Sequence, residues 1–273
     1  MAFRSQRRSS KLRLLIALAI AAFAVISYFG KKDFNELTGE TQYVDLSPEQ
    51  EVALGLHAAP QMAQQHGGLH PDERARALVD RIGKRLVAQT AAGSTPYQWQ
   101  FHLLADEKTV NAFALPGGQV FLTAALLSRL ESEGQVAAVL GHEIGHVVAR
   151  HGAEHMAKAK LTQGLTGAAV MATVESGGRG SAAVAAMIGR LVNMKYGRDD
   201  ELESDRLGVR FTAKAGYDPR SMLRVMEILD AAGDGARPPE FYSTHPNPAR
   251  RIERIKQAIS TLFPNGVPGS LES

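Results

Sequence analysis

Residues Leu14 to Gly30 read LLIALAIAAFAVISYFG, seventeen positions without a charge. As an α-helix the run is about 26 Å long, close to the hydrocarbon thickness of about 30 Å that a spanning helix must cross. Five basic residues precede it (Arg4, Arg7, Arg8, Lys11 and Arg13), and only Lys31 and Lys32 follow before Asp33 and Glu36. That asymmetry predicts a cytoplasmic basic tail over 1–13, a transmembrane anchor over 14–30 and an extracytoplasmic remainder, most simply on the periplasmic side of a bacterial inner membrane. Ala22-Phe23-Ala24 offers the small-x-small pattern of a cleaved signal peptide, which would leave a secreted periplasmic protein. The apolar run continues past it through Val25, Ile26, Tyr28 and Phe29, which favours the uncleaved anchor. The Arg- and Ser-rich, acid-free start also resembles a mitochondrial presequence.

The anchor's flanks also explain the charge. Seven of the 31 basic residues lie in 1–32, where there is no acid, leaving 24 basic against 28 acidic residues over 33–273. The body is mildly acidic, so nucleic-acid binding is not expected. The absence of cysteine excludes disulfides, thiolate metal sites and a cysteine nucleophile.

Beyond the anchor, residues 31–45 read as a polar tether. Ser47-Pro48-Glu49-Gln50 is a capping box that opens a helix to about Gln65, and Pro71-Asp72 opens another with Leu78, Val79, Ile82, Leu86 and Val87 on one face. Tyr97, Trp99, Phe101 and Leu103 alternate as in a strand. Residues 111–114 and 119–122 flank Leu115-Pro116-Gly117-Gly118 as a hairpin, and Thr123 caps a short helix. Ser132-x-x-Gln135 is a second capping box. Residues 161–193 suggest two small-residue helices joined by a loop, a membrane-dipping hairpin being the alternative. Helices follow at about 200–215, 219–231 and 246–262. The expected class is α+β, mostly helical, with a small β-sheet.

The helix opened by Ser132 carries Gly141-His142-Glu143-Ile144-Gly145-His146. Histidines four apart share a helix face about 6 Å apart along the axis, so both imidazoles can converge on one cation. Two imidazoles and a carboxylate suit zinc, one ion per chain, with a position left for water. Glu143 is then placed to take a proton from that water. The flanking Val136, Val139, Leu140, Val147 and Val148 predict a buried helix, where His-Glu-His without a partner is costly.

A third histidine in the HExxHxxGxxH register is absent, since positions 149 and 152 are Ala and Gly. Downstream, Glu201-Leu202-Glu203-Ser204-Asp205 sets two carboxylates four apart on one helix face. One could ligate the metal while the other accepts a hydrogen bond from a ligand histidine.

HEIGH followed by ELESD resembles the gluzincin family of membrane-associated zinc endopeptidases that includes HtpX and the CAAX prenyl proteases. SPEQEVALG, NAFALPGGQVFL, DRLGVRFTAKAGYDP and STHPNPARRIERI extend the resemblance over most of 46–260. The single anchor and AGYDP look most like the BepA-like and Oma-like branch, although the C-terminal repeat domain of BepA-like proteins is not expected here. The resemblance implies a zincin-type domain over 46–262 with a C-terminal tail over 263–273. It implies zinc ligands His142, His146 and Glu201, Glu143 as the base, and Asp205 supporting a ligand. It further implies that Gln119–Leu122 offers a free strand edge to an extended polypeptide.

The resemblance also places a site histidine at His245, in Ser243-Thr244-His245-Pro246-Asn247-Pro248. From the residues alone, His245 is a turn histidine stiffened by Pro246. Toward zinc it has two possible roles: hydrogen-bonding an oxyanion, or filling the fourth metal position and holding the enzyme latent until the loop moves. The expected function is cleavage of unfolded or misassembled envelope or membrane-associated proteins. A non-proteolytic chaperone or assembly factor using the same groove is the alternative.

Overall fold

The computed structural model describes residues 3–173, 195–232, 238–246 and 250–273. Contacts divide the chain into two units, taken here one at a time: Ser47–Gly152 with Val192–Ser273, and Met1–Leu46 with Ala153–Leu191.

In the larger unit, α2 (Pro48–Gln65) opens with the expected capping box, Ser47 and Gln50 each accepting the other's backbone N–H. Asp72 caps α3 (Glu73–Ala88), which packs Val79, Ile82 and Leu86 against β3 (Gln100–Leu104). Each of these fully buried side chains contributes about 1.5–3 kcal/mol. β4 (Ala112–Leu115) and β5 (Gln119–Thr123) form the expected hairpin, with Gly117 and Gly118 at φ 82° and 103°, where a Cβ would be strained.

The sheet order corrects one expectation. β3 pairs in parallel with β5, so the order is β3–β5–β4 and β5 lies in the centre. Gln119–Leu122 therefore has no free edge. The hairpin pattern identified the strands but could not tell which of the two a third strand would join. The outer edge beside β5 belongs to β4. Thr123 donates to the Asn111 carbonyl at 3.1 Å, so positions 111, 113 and 115 face β5 while Ala112 and Ala114 turn their amides outward.

Thr123 caps the short α4 (Ala124–Leu127), and Ser132 caps α5 (Glu133–Val148). The second capping box is only half formed, because the Gln135 side chain accepts from the Glu131 N–H rather than from Ser132. Every residue of α5 from Gly134 to Val148 is buried. One side of α5 meets β4 and β5, and the other meets α7 (Arg198–Lys214) at very close range. At that crossing a Cβ on Gly208 would lie 3.0 Å from the His142 amide nitrogen, and one on Gly145 would lie 2.7 Å from Ser204 Oγ. The glycines let the two backbones touch. Then come α8 (Ser221–Ala231), α9 (Phe241–Thr244) and α10 (Arg251–Leu262), the last starting five residues later than expected. The segment read as a tail is tied back: the Asp218 N–H donates to the Glu272 carbonyl, the Glu272 N–H donates to the Gly216 carbonyl, and Arg85 grips the Glu272 carboxylate at 2.8 and 2.9 Å.

The smaller unit contains α1 (Phe3–Phe29), the antiparallel strands β1 (Lys32–Asn35) and β2 (Glu40–Tyr43), and α6 (His151–Thr173) from Ala153 onward. The expected tether over 31–45 is thus a hairpin. Asn35 Oδ1 accepts from the Leu37 and Thr38 amides, and Gly39 takes φ 77°, turn chemistry that a reading for polarity passes over. Most of the second helix expected within 161–193 lies outside the described residues.

Candidate metal centre

The 3.6-residue repeat of α5 stacks His142 and His146 one turn apart, their Nε2 atoms 3.0 Å from each other. The close crossing brings α7 over them, so Glu201 Oε1 sits 3.3 Å from His146 Nε2 and Glu201 Oε2 sits 3.6 Å from His142 Nε2. From the loop after α9, His245 Nδ1 reaches Glu201 Oε1 at 3.0 Å and His142 Nε2 at 3.4 Å. All four side chains are buried, and their donor atoms lie within 4.8 Å of one another. Glu143 points into the same space, with His245 Nε2 3.6 Å from its Oε1.

The surrounding groups aim these donors. Asp205 Oδ1 lies 2.9 Å from His142 Nδ1 and so fixes the tautomer that turns the Nε2 lone pair inward. Arg251 holds Asp205 in a two-pronged grip, Nε to Oδ2 at 2.6 Å and Nη2 to Oδ1 at 2.8 Å, while its Nη1 stands 3.1 Å from Glu201 Oε2 without hydrogen-bond alignment. Behind His146, Nδ1 meets His151 Nδ1 at 2.9 Å, and His151 Nε2 meets Glu203 Oε2 at 3.1 Å. Arg150 takes φ 55° between α5 and α6, turning the chain so that His151 comes beside His146. Tyr196 stacks on the His146 ring at 3.9 Å, and Phe241 on His245 at 4.4 Å.

Electrostatics separates the roles. Burial pushes the Glu143 carboxyl above its ordinary value, against the opposing pull of His245 and His142. Burial likewise drives His146 well below the ordinary histidine value, leaving it neutral. Glu201 resists its own burial, because His245 and His146 hold it well below the carboxylate range. Asp205 is lowered against its burial by Arg251 and His142. For His245, burial acts downward, but Glu143 and Glu201 outweigh it and raise the pKa.

A divalent cation fits these residues on two counts. Glu143, Glu201 and Asp205 are buried beside one permanent cation, Arg251, so full ionisation leaves two negative charges uncompensated. In addition, both Glu143 oxygens, Glu201 Oε2 and His245 Nε2 are buried without a hydrogen-bond partner. A metal accepting the inward lone pairs would offset the charge and partner Glu201, and a water beside it would partner Glu143.

The structure therefore brings His142, Glu143, His146, Glu201, Asp205 and His245 into one centre. Arg251, His151 and Tyr196 complete it without having been singled out from the sequence. Residues 73–259 match the family model described as "Peptidase family M48".

The chain belongs to peptidase family M48.

Among its M48 relatives, the "Beta-barrel assembly-enhancing protease" of Escherichia coli (strain K12) is 29% identical over 98% of this chain and 55% of its own length. The "Putative beta-barrel assembly-enhancing protease" of Vibrio cholerae is 32% identical over 90% of this chain and 52% of its own. The "Mitochondrial metalloendopeptidase OMA1" of Schizosaccharomyces pombe is 29% identical over 93% and 74%. This chain spans about half the length of the bacterial relatives it matches. Every residue of the centre lies within the M48 match.

Proposed function

We propose that this chain is a membrane-anchored zinc endopeptidase that cleaves extended segments of unfolded or misassembled envelope proteins. The observation that carries the reading is the convergence of His142, His146 and Glu201 beside a buried Glu143 whose oxygens have no hydrogen-bond partner. Two imidazoles and a carboxylate form the donor set that zinc takes in hydrolytic sites. Bound there, zinc would supply Lewis acidity and lower the pKa of a water molecule to about 7. Glu143, its carboxyl raised by burial, takes the proton from water and returns it to the leaving amine. Arg251 and Asp205 hold the His142 ring in place throughout.

The outward amide of the part-exposed Ala114 supports an extended substrate, which can add to the β4 edge by backbone hydrogen bonds. Such binding selects for an unfolded chain more than for a sequence. The names of the bacterial relatives point to the envelope, and the basic flank of residues 14–30 supports an anchor with the site on the periplasmic side. His245 Nδ1 stands among the metal donors, which favours the fourth-ligand role and a latent resting state.

Two variants of the detergent-purified chain test this on casein. Glu143→Gln should keep its zinc and lose cleavage by about 10²–10⁴-fold. His245→Ala should raise basal cleavage, whereas a fall would assign His245 to the oxyanion. If neither the wild type nor His245→Ala shows chelator-sensitive cleavage, a non-proteolytic binder using the same groove becomes the better reading.

A further inference from the structure

Within the smaller unit, α6 runs against α1. Lys160 pairs with Asp45, which also meets Lys31 Nζ at 3.1 Å, so three charges gather where the apolar run of α1 ends. One turn further along α6, a Cβ on Gly164 would come within 2.8 Å of the Ala24 Cβ. Progress from Lys160 to Gly164 on α6 therefore corresponds to progress from Lys31 back to Ala24 on α1, and the helices are antiparallel. Ala24 lies six residues, about 9 Å, inside the apolar run that closes at Gly30.

We propose that α6, from Leu161 to Thr173, enters the hydrocarbon layer alongside α1, so that among the described residues a second helix meets the membrane. The inference rests on the reading of residues 14–30 as an anchor. If that helix spans the bilayer, Gly164 stands at the depth of Ala24, and α6 continues nine residues beyond it to Thr173. Residues 161–173 contain no charge and span about 20 Å as a helix, short of a full crossing. Two of their hydroxyls are suited to lipid: Thr162 Oγ1 donates to the Lys158 carbonyl at 2.9 Å, and Thr166 Oγ1 to the Thr162 carbonyl at 2.8 Å. Leu165 on α6 and Phe23 and Ile26 on α1 are exposed apolar side chains that a bilayer would cover. Gly164 against Ala24 is the small-residue contact by which helices approach closely in lipid.

Because the chain has no cysteine, single-cysteine variants report position without background. The whole 273-residue chain is reconstituted in phosphatidylcholine vesicles as Phe23→Cys, Leu165→Cys and Leu69→Cys, the last being an exposed site in the larger unit. Each variant is treated with a charged maleimide. At both Phe23→Cys and Leu165→Cys, labelling should be slower than at Leu69→Cys by about tenfold or more, because hydrocarbon excludes the reagent and disfavours the thiolate. Protection at Phe23→Cys with full labelling at Leu165→Cys would overturn the inference and leave the anchor standing. Full labelling at both would overturn the anchor and the inference together. A disulfide in Ala24→Cys/Gly164→Cys, formed in the same vesicles, should accompany protection; its absence alongside a labelled Leu165→Cys would place α6 away from α1.

Discussion

Arg251 shows how much of the centre depends on a single side chain. It is 2% exposed and, among the described residues, is the one permanent cation beside the three buried carboxylates Glu143, Glu201 and Asp205. Lysine keeps the charge but cannot make the two-pronged grip on Asp205. Arg251→Lys should therefore weaken zinc binding by about 10–100-fold while leaving the protein folded, read by chelator competition. Arg251→Ala should cost about 3–5 kcal/mol in urea unfolding, because it strands Asp205 without its partner. An unchanged zinc affinity in Arg251→Lys would mean that the grip does not orient His142. The convergence of His142 and His146 was legible in the sequence because four-residue spacing on a helix dictates it, whereas Glu201 and His245 were expected from the family resemblance. Arg251 left a fainter trace. It occupies the buried stripe of α10 with Ile255 and Ile259, four and eight residues on, and a search for apolar periodicity skips a charged residue in that register. His151 left no trace, since its place depends on the left-handed turn at Arg150.

Among the elements, the crossing of α5 and α7 decides whether Glu201 reaches the histidines. In Gly208→Ala the new methyl group would meet the His142 backbone at 3.0 and 3.2 Å and the Met222 methyl at 2.9 Å. Backbone cannot yield as a side-chain end can, so the helices must part. The expected loss is about 1–3 kcal/mol of stability together with weaker zinc binding. Gly269→Ala, where nothing lies within 4 Å, serves as the neutral control in the same thermal melts. Full zinc affinity in a folded Gly208→Ala variant would show that the crossing tolerates more separation. The helices were read well from caps and apolar faces because those signals are local. The sheet order was not, since β3 pairs with β5 across a stretch of chain containing β4. Local patterns find strands; they do not choose partners.

For the whole molecule, the centre joins α5, α7, the loop after α9 and the first turn of α10, so a bound ion ties distant parts of the sequence together. Zinc at about a hundred times its dissociation constant should add about 2.7 kcal/mol to the stability of the folded chain. For a unit of this size that is an increase of roughly 5–11 °C in Tm. Glu143→Gln should keep the increase and His142→Ala should lose most of it, both read by differential scanning fluorimetry with and without chelator. An equal increase in all three proteins would locate the zinc elsewhere.

The grip of Arg251 on Asp205 also has a consequence in time. A ribosome makes His142 first and Arg251 more than a hundred residues later. Until α10 emerges and folds back, the growing polypeptide carries the acids of the site without the cation that steadies them. The centre is therefore completed only after more than a hundred further residues have followed His142 and His146 off the ribosome.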